Sequence, residues 1–246
     1  LSKVRLDYYL VEKGLASNLQ EASSLCIRGL VHDSSSQLLK PGTQVNLSRS
    51  DIKVKQTKDH KYVARSALKL KDAINHYDID IQDKICADLG CSTGGFTQVL
   101  LEEGAQKVYA VDVASGFFAY SLRSNLKVIL LEKTNVKHLS KSLISEDLDL
   151  MCCDLSFTGL TNCLLPSLSL LKNGGELIAL IKPQFELPKH LVEEGGIIKN
   201  PLLHKQACDS VANWLEEQDF NIAGIKPCSQ LGTKGNQEFL LYAFKL

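Results

Sequence analysis

From residue 63 onward the chain alternates short apolar runs with amphipathic helical stretches. That alternation limits the fold more than any other feature. The runs fall near 85–88, 107–112, 127–131, 148–153, 176–181, 221–226 and 238–244. Strands buried on both faces read as unbroken apolar runs, and strands separated by helices pair in parallel under helical layers. Asn221–Lys226 and Glu238–Phe244 are joined by a stretch without helical spacing, which predicts an antiparallel hairpin at the end of an otherwise parallel sheet. The expected fold class is α/β: a seven-stranded, mostly parallel sheet with an antiparallel last strand.

A smaller α+β module comes first. Leu6, Tyr9 and Leu10 recur at helical spacing and Gly14 ends the run. A second helix is expected to open at Ser17, with Gln20 three residues on in a capping-box pattern, and to stop at Gly29. Leu30-Val31 and Val45-Asn46-Leu47 read as short strands. The polar stretch Gln56–His60 breaks the pattern, so we expect one domain over 1–58, a linker over 59–62 and a second domain over 63–246. A module this small has little core area and leans on a neighbour or a ligand.

The 246 residues carry no net charge, which excludes a global field that would attract nucleic acid. Basic character is local: residues 1–60 hold nine lysines and arginines against six acids. The eight cysteines include no C-x-x-C pair and no histidine at zinc spacing, which points to a reducing compartment without disulfides or a metal. Neither a signal-peptide pattern nor a membrane-length apolar stretch occurs, so a cytoplasmic protein with no membrane association is expected.

Ligands of open α/β sheets lie beyond the carboxyl ends of the strands. The first strand ends in Asp88-Leu-Gly-Cys-Ser-Thr-Gly-Gly-Phe96, a glycine turn leading into a helix. Such a turn lets backbone approach a nucleotide-like ligand, and it equally serves as a tight connection. The second strand ends in Asp112, 24 residues past Asp88, near the spacing at which an acid holds ribose hydroxyls; a helix cap is the plainer use. Glu132 ends the third strand and Asn135 follows. Asp154 ends the fourth and Lys182 the fifth, so these two face each other as a structural ion pair or as chemistry. A lysine at the end of a buried strand is costly without compensation.

The Asp88–Phe96 stretch resembles the AdoMet-binding loop of FtsJ-like RNA 2′-O-methyltransferases. Their Lys–Asp–Lys–Glu tetrad matches Lys69 in Ala64-Arg-Ser-Ala-Leu-Lys-Leu70, Asp154 in Asp154-Leu-Ser-Phe157, Lys182 in Ile181-Lys-Pro-Gln-Phe-Glu186, and Glu238 in Gly235-Asn-Gln-Glu238. Val111-Asp-Val113, Ser121-Leu-Arg123 and Glu132-Lys-Thr-Asn135 narrow the resemblance to the TlyA family, historically called hemolysin A. That family places an S4-like RNA-binding domain before a Rossmann-like methyltransferase. Val4-Arg-Leu-Asp7, Gly14-Leu15 and Ile27-Arg-Gly-Leu-Val31 resemble that domain. Asn18 stands where the family carries an arginine, which removes a phosphate contact. Asp33–Ser36 replaces a glycine turn, and Ser115–Phe118 departs from the usual stretch.

The resemblance implies AdoMet as cofactor and ribosomal RNA, alone or in ribosomal subunits, as partner, with ribose 2′-O-methylation of cytidine as the reaction. It implies catalytic roles for Lys69, Asp154, Lys182 and Glu238, with Lys182 as general base and no metal. Asp88, Gly90, Ser92, Thr93, Gly94, Gly95, Phe96, Asp112, Val113, Asn135 and Asp154 would hold the cofactor. RNA would be held by Lys3, Arg5, Arg28, Lys61 and Arg65. A non-catalytic RNA-binding or ribosome assembly factor is the alternative. A membrane-lytic protein, suggested by the older family name, finds no long apolar or amphipathic membrane segment in the sequence.

Overall fold

The computed structural model describes residues 3–16, 18–27, 29–35, 39–55, 62–193, 195–232 and 235–246. The first region holds β1 (Lys3–Arg5), α1 (Leu6–Glu12), α2 (Leu19–Ile27), β2 (Val31–His32), β3 (Gln44–Asn46) and β4 (Lys53–Val54). β1 pairs antiparallel with β3, and β2 with β4. Leu6, Leu10, Ala22, Leu25, Val31 and Val45 close a core of their own. The expected cap at Ser17 lies outside the described residues. The observed one is Asn18, whose Oδ1 accepts from the Glu21 N–H at 2.9 Å. The expected linker over 59–62 lies outside the described residues except for Tyr62, which is buried.

The second region runs α3 (Ala67–Tyr77), β5 (Ile85–Leu89), α4 (Gly95–Glu102), β6 (Lys107–Val111), α5 (Tyr120–Arg123), β7 (Val128–Leu131) and β8 (Leu148–Cys153). It continues through α6 (Leu165–Leu168), β9 (Leu171–Ile181), α7 (Pro183–Glu186), α8 (Pro201–Glu216), β10 (Phe220–Pro227) and β11 (Phe239–Lys245). The seven strands form one sheet in the order β10-β11-β9-β8-β5-β6-β7. Only β11 runs against the others.

Burial explains the apolar runs. Along β8, Leu150 and Cys152 face a core shared with α3 and α4, while Met151 and Cys153 face the core under α8. A strand covered on both sides has no polar face to show. The eight cysteines are all buried and fill such positions as small hydrophobes.

The closing hairpin is a finding beyond the expected pairing. β11 is inserted between β9 and β10, so the last strand is interior and β10 takes the edge. The composition accounts for this: Leu240, Leu241 and Ala243 are fully buried, whereas β10 alternates with exposed Asn221 and Ala223. The register sets Phe239 against Ile181, and therefore carries Glu238 to the end of the strand that delivers Lys182.

Candidate active site

β5 is flanked by β6 on one side and β8 on the other, so the chain reverses its direction of winding there. The loops after β5, β6, β7 and β8 diverge and leave a cleft of about 540 Å³ at their carboxyl ends. Gly90, Ser92, Asp112, Val113, Asn135 and Asp154 line it, as does the run Leu155–Thr158.

Gly90 follows β5 directly, at φ +83°. A Cβ there would lie 2.6 Å from the Asp154 carbonyl oxygen. The two loops therefore touch backbone to backbone, which only glycine permits. Asp112 ties the next pair of loops together. Its Oδ2 accepts from the Ser92 N–H and its Oδ1 from the Ala114 N–H, both at 2.8 Å. Asn135 Oδ1 accepts from the Lys137 N–H at 3.0 Å and caps a short 3₁₀ turn on the far wall.

Other residues of the glycine stretch make packing contacts. Phe96 is buried in the core under α3 and α4. Gly94 and Gly95 are packing positions: a Cβ on the first would meet Leu122 and Phe118, and on the second Ser66 and Ala64. Thr93 is buried too, and its carbonyl accepts from the Ala119 N–H.

Asp88 is 1% exposed. Its Oδ2 accepts from the Thr97 N–H at 2.8 Å and from the Thr97 hydroxyl at 2.6 Å, while Oδ1 is buried without a partner. Burial pushes the carboxyl up to about 7, against the opposing pull of the Thr97 bonds. A carboxyl raised in the folded state takes up a proton on folding, so its stabilisation is complete at low pH and is lost as pH rises through 7. The unliganded protein is therefore expected to lose stability between pH 4 and pH 7, at about 1.4 kcal/mol per unit of pKa difference for this group. Urea unfolding across that range should show this slope, and Asp88→Asn should flatten it.

Two ion pairs lie at the end of β9. Lys182 Nζ is 2.6 Å from Asp154 Oδ1 and donates to the Ser156 hydroxyl at 2.8 Å. Lys69, on α3, reaches Glu238 Oε2 at 2.5 Å. Lys182 is 8% exposed and Glu238 4%. Gly232 makes room for the second pair, since a Cβ there would fall 2.3 Å from Glu238 Oε1. Cys228 is buried nearby, and burial pushes its thiol up to about 12. Two lysines and two carboxylates thus form two ion pairs, the members of one lying 169 positions apart in the chain.

Sequence reasoning passed over several residues here. Thr97 holds Asp88. Ser156 shares Lys182. Phe157 is 92% exposed at φ +69°, with its ring 5.9 Å from Phe185. The carboxylate of Glu186 accepts from the Leu160 N–H at 2.9 and 3.1 Å, and burial pushes it up to about 7. The signal for Ser156 and Phe157 was their place beside Asp154; for Glu186 and Thr97, nothing in the spacing distinguished them from helix residues.

Five basic residues are expected to meet RNA. Arg28 and Lys61 lie outside the described residues. Lys3 and Arg65 are exposed. Arg5 is committed to Asp7, with Nε to Oδ1 at 3.1 Å and Nη2 to Oδ2 at 2.6 Å. Among the described residues no helix is long and apolar enough to cross a membrane.

The model of the FtsJ-like methyltransferase family matches residues 62–245. The 16S/23S rRNA (cytidine-2′-O)-methyltransferase TlyA of Mycobacterium tuberculosis is 35% identical over 240 residues, covering 98% of this chain and 89% of that protein. A solved Streptococcus thermophilus structure, provisionally described as a hemolysin, is 30% identical with a TM-score of 0.76 and covers 99% of this chain and 88% of its own. An S-adenosylmethionine-dependent methyltransferase from Mesorhizobium loti shares the fold at a TM-score of 0.53 and 16% identity, over 71% of this chain and 96% of its own. With its Asp–Lys pair beside the strand-end cleft and relatives matched over nearly its whole length, the chain belongs to the FtsJ-like methyltransferases and, within them, to the TlyA family.

Proposed function

We propose that this protein transfers a methyl group from AdoMet to a ribose 2′-hydroxyl of ribosomal RNA, at cytidine, in the small subunit, the large subunit or both. The observation that carries the proposal is the Lys182 amine, held between Asp154 and Ser156 where both residues wall the cleft. A ribose hydroxyl is a weak nucleophile until a base takes its proton, and an amine so placed is a base within reach.

The cleft suits AdoMet. Asp88, buried at the end of β5, keeps an oxygen without a donor, a centre of negative charge suited to a cofactor that carries cationic groups. Gly90 keeps the floor free of side chains, and Asp112 offers a carboxylate to ribose hydroxyls. Val113 and Asn135 line the space beyond, suited to an adenine. Once bound, AdoMet supplies an electrophilic methyl on a sulfonium. Lys182, held as an ammonium by the ion pair, gives one proton to solvent before the reaction. The neutral amine then accepts the hydroxyl proton as the oxygen attacks, and Asp154 balances the charge it regains. Lys69, paired with Glu238, positions the ribose. Much of the rate arises from alignment rather than from new bonds to the protein.

RNA as the acceptor is supported by the neighbouring features. Phe157, exposed on the cleft wall with the half-buried Phe185 ring 5.9 Å away, offers a surface on which an unstacked base can rest. Residues 1–58 then act as an S4-like RNA-binding domain through Lys3 and Arg28, joined by Lys61 and Arg65 beyond it; of these, Lys3 and Arg65 are exposed. Arg5 contributes only by leaving Asp7.

Mass-spectrometric mapping of 2′-O-methyl positions on rRNA from cells with and without the protein tests the proposal. A cytidine methylated only when the protein is present is the expected result. Identical maps, together with no transfer from labelled AdoMet to purified subunits or naked rRNA, would overturn it.

A further inference from the structure

We infer that Ser156 is a positioning residue for the proton acceptor: its hydroxyl and the Asp154 carboxylate take up the two N–H bonds of the Lys182 amine and leave one position of the nitrogen for the ribose proton. The inference rests on the reading of Lys182 as general base.

In the ion pair the nitrogen is an ammonium with three N–H donors, and once one proton has gone to solvent the amine keeps two hydrogens and one lone pair. Bonded to Asp154 alone, the group turns about Cε–Nζ and its lone pair samples several directions. A second acceptor removes that freedom. Ser156 Oγ, at 2.8 Å, is that acceptor, and it stands two residues from the first on the same cleft wall. With both bonds made, the lone pair has one direction, which is the kind of prior alignment that speeds a proton transfer.

The loop that carries Ser156 is built to hold it still. At one end the Asp154 N–H donates to the Leu89 carbonyl at 3.0 Å, fixing the loop to the sheet. At the other, the Leu160 N–H donates to the buried Glu186 carboxylate. Glu186 stands four residues past Lys182, on the short helix that follows it. Gly159 lets that clamp close, since a Cβ there would lie 2.8 Å from Glu186 Oε2. Ser156 and Lys182 are therefore joined by two separate routes, the β8–β9 pairing and the Glu186 clamp. Neither the core nor the ion pair needs the Ser156 hydroxyl, because the residue is exposed.

The test uses the full-length protein, labelled AdoMet and naked rRNA, with Ser156→Ala, Ser156→Thr and Lys182→Ala compared with wild type. Loss of a hydrogen bond to a charged or reacting group in the transition state lowers kcat by about tenfold or more. Ser156→Ala is expected to show that loss with KM for rRNA, Kd for AdoMet and Tm unchanged. Ser156→Thr keeps the hydroxyl and is expected to recover most of kcat. An undiminished kcat in Ser156→Ala, a loss confined to KM or Kd, or no recovery with threonine overturns the inference. Wild-type activity with an inactive Lys182→Ala makes that failure specific to Ser156. An inactive wild type, or an active Lys182→Ala, instead removes the reading on which the inference stands.

Discussion

Lys182→Ala is expected to lower methyl transfer by about 10³-fold or more while AdoMet still binds, since general base catalysis contributes 10²- to 10⁴-fold. The lysine sits over the cleft wall but is not one of the residues that line the cleft. Lys182→Arg separates the two uses of this side chain. If the residue only paired with Asp154, arginine would do as well, because a guanidinium binds a carboxylate at least as tightly. A guanidinium cannot give up its proton to become a base, so transfer should stay absent while the fold and the ion pair survive. Initial rates with labelled AdoMet, beside equilibrium binding of AdoMet to each variant, measure both. A Lys182→Arg enzyme with near wild-type kcat would show that the ion pair, not the base, is what matters.

Gly90→Val is the second large effect, and it should fall on cofactor affinity. The added Cβ would lie 2.6 Å from the Asp154 carbonyl oxygen and 3.1 Å from its carbonyl carbon. Backbone atoms cannot swing away as a flexible side chain can, so the loops after β5 and β8 must separate. The residue also stands at φ +83°, where a non-glycine residue costs about 1–2 kcal/mol and a β-branched one more. Both displaced loops wall the cleft, so AdoMet affinity is expected to drop by about 100-fold or more, equivalent to roughly 2.7 kcal/mol. Gly116→Ala is the internal comparison. It has nearly the same backbone angle, φ +81°, but a Cβ there meets nothing within 4 Å. It should lose a little stability and keep its affinity for AdoMet, as isothermal titration and thermal unfolding can show. Equal losses in the two variants would assign the effect to backbone strain instead of to loop contact.

The parts of the fold that were legible in the sequence are those that depend on neighbours along the chain. The apolar runs at 85–88 and 148–153 became β5 and β8, because a strand buried on both faces announces itself locally. The glycine turn after Asp88 and the acid at Asp112 could be found by spacing within one βαβ unit. Three residues of the glycine stretch also have close packing neighbours: Phe96 lies in the core, and Gly94 and Gly95 fit α4 against its neighbours. Spacing could not separate those uses, since close approach to a ligand and close approach to another chain segment demand the same small residue.

By itself, the sequence determined an α/β sheet with a small module before it, and it named Lys69, Asp154, Lys182 and Glu238 through family resemblance. Tertiary structure alone decided that these four charges pair as Lys69 with Glu238 and Lys182 with Asp154. Glu238 reaches Lys69, and the end of the strand bearing Lys182, because β11 slots between β9 and β10 in the register that sets Phe239 against Ile181. Ser156 becomes a partner of Lys182 only because β8 and β9 are adjacent and Glu186 clamps the loop between them. The physical reason is that strand order and register follow from which faces must be buried across the whole sheet, a condition no local pattern contains.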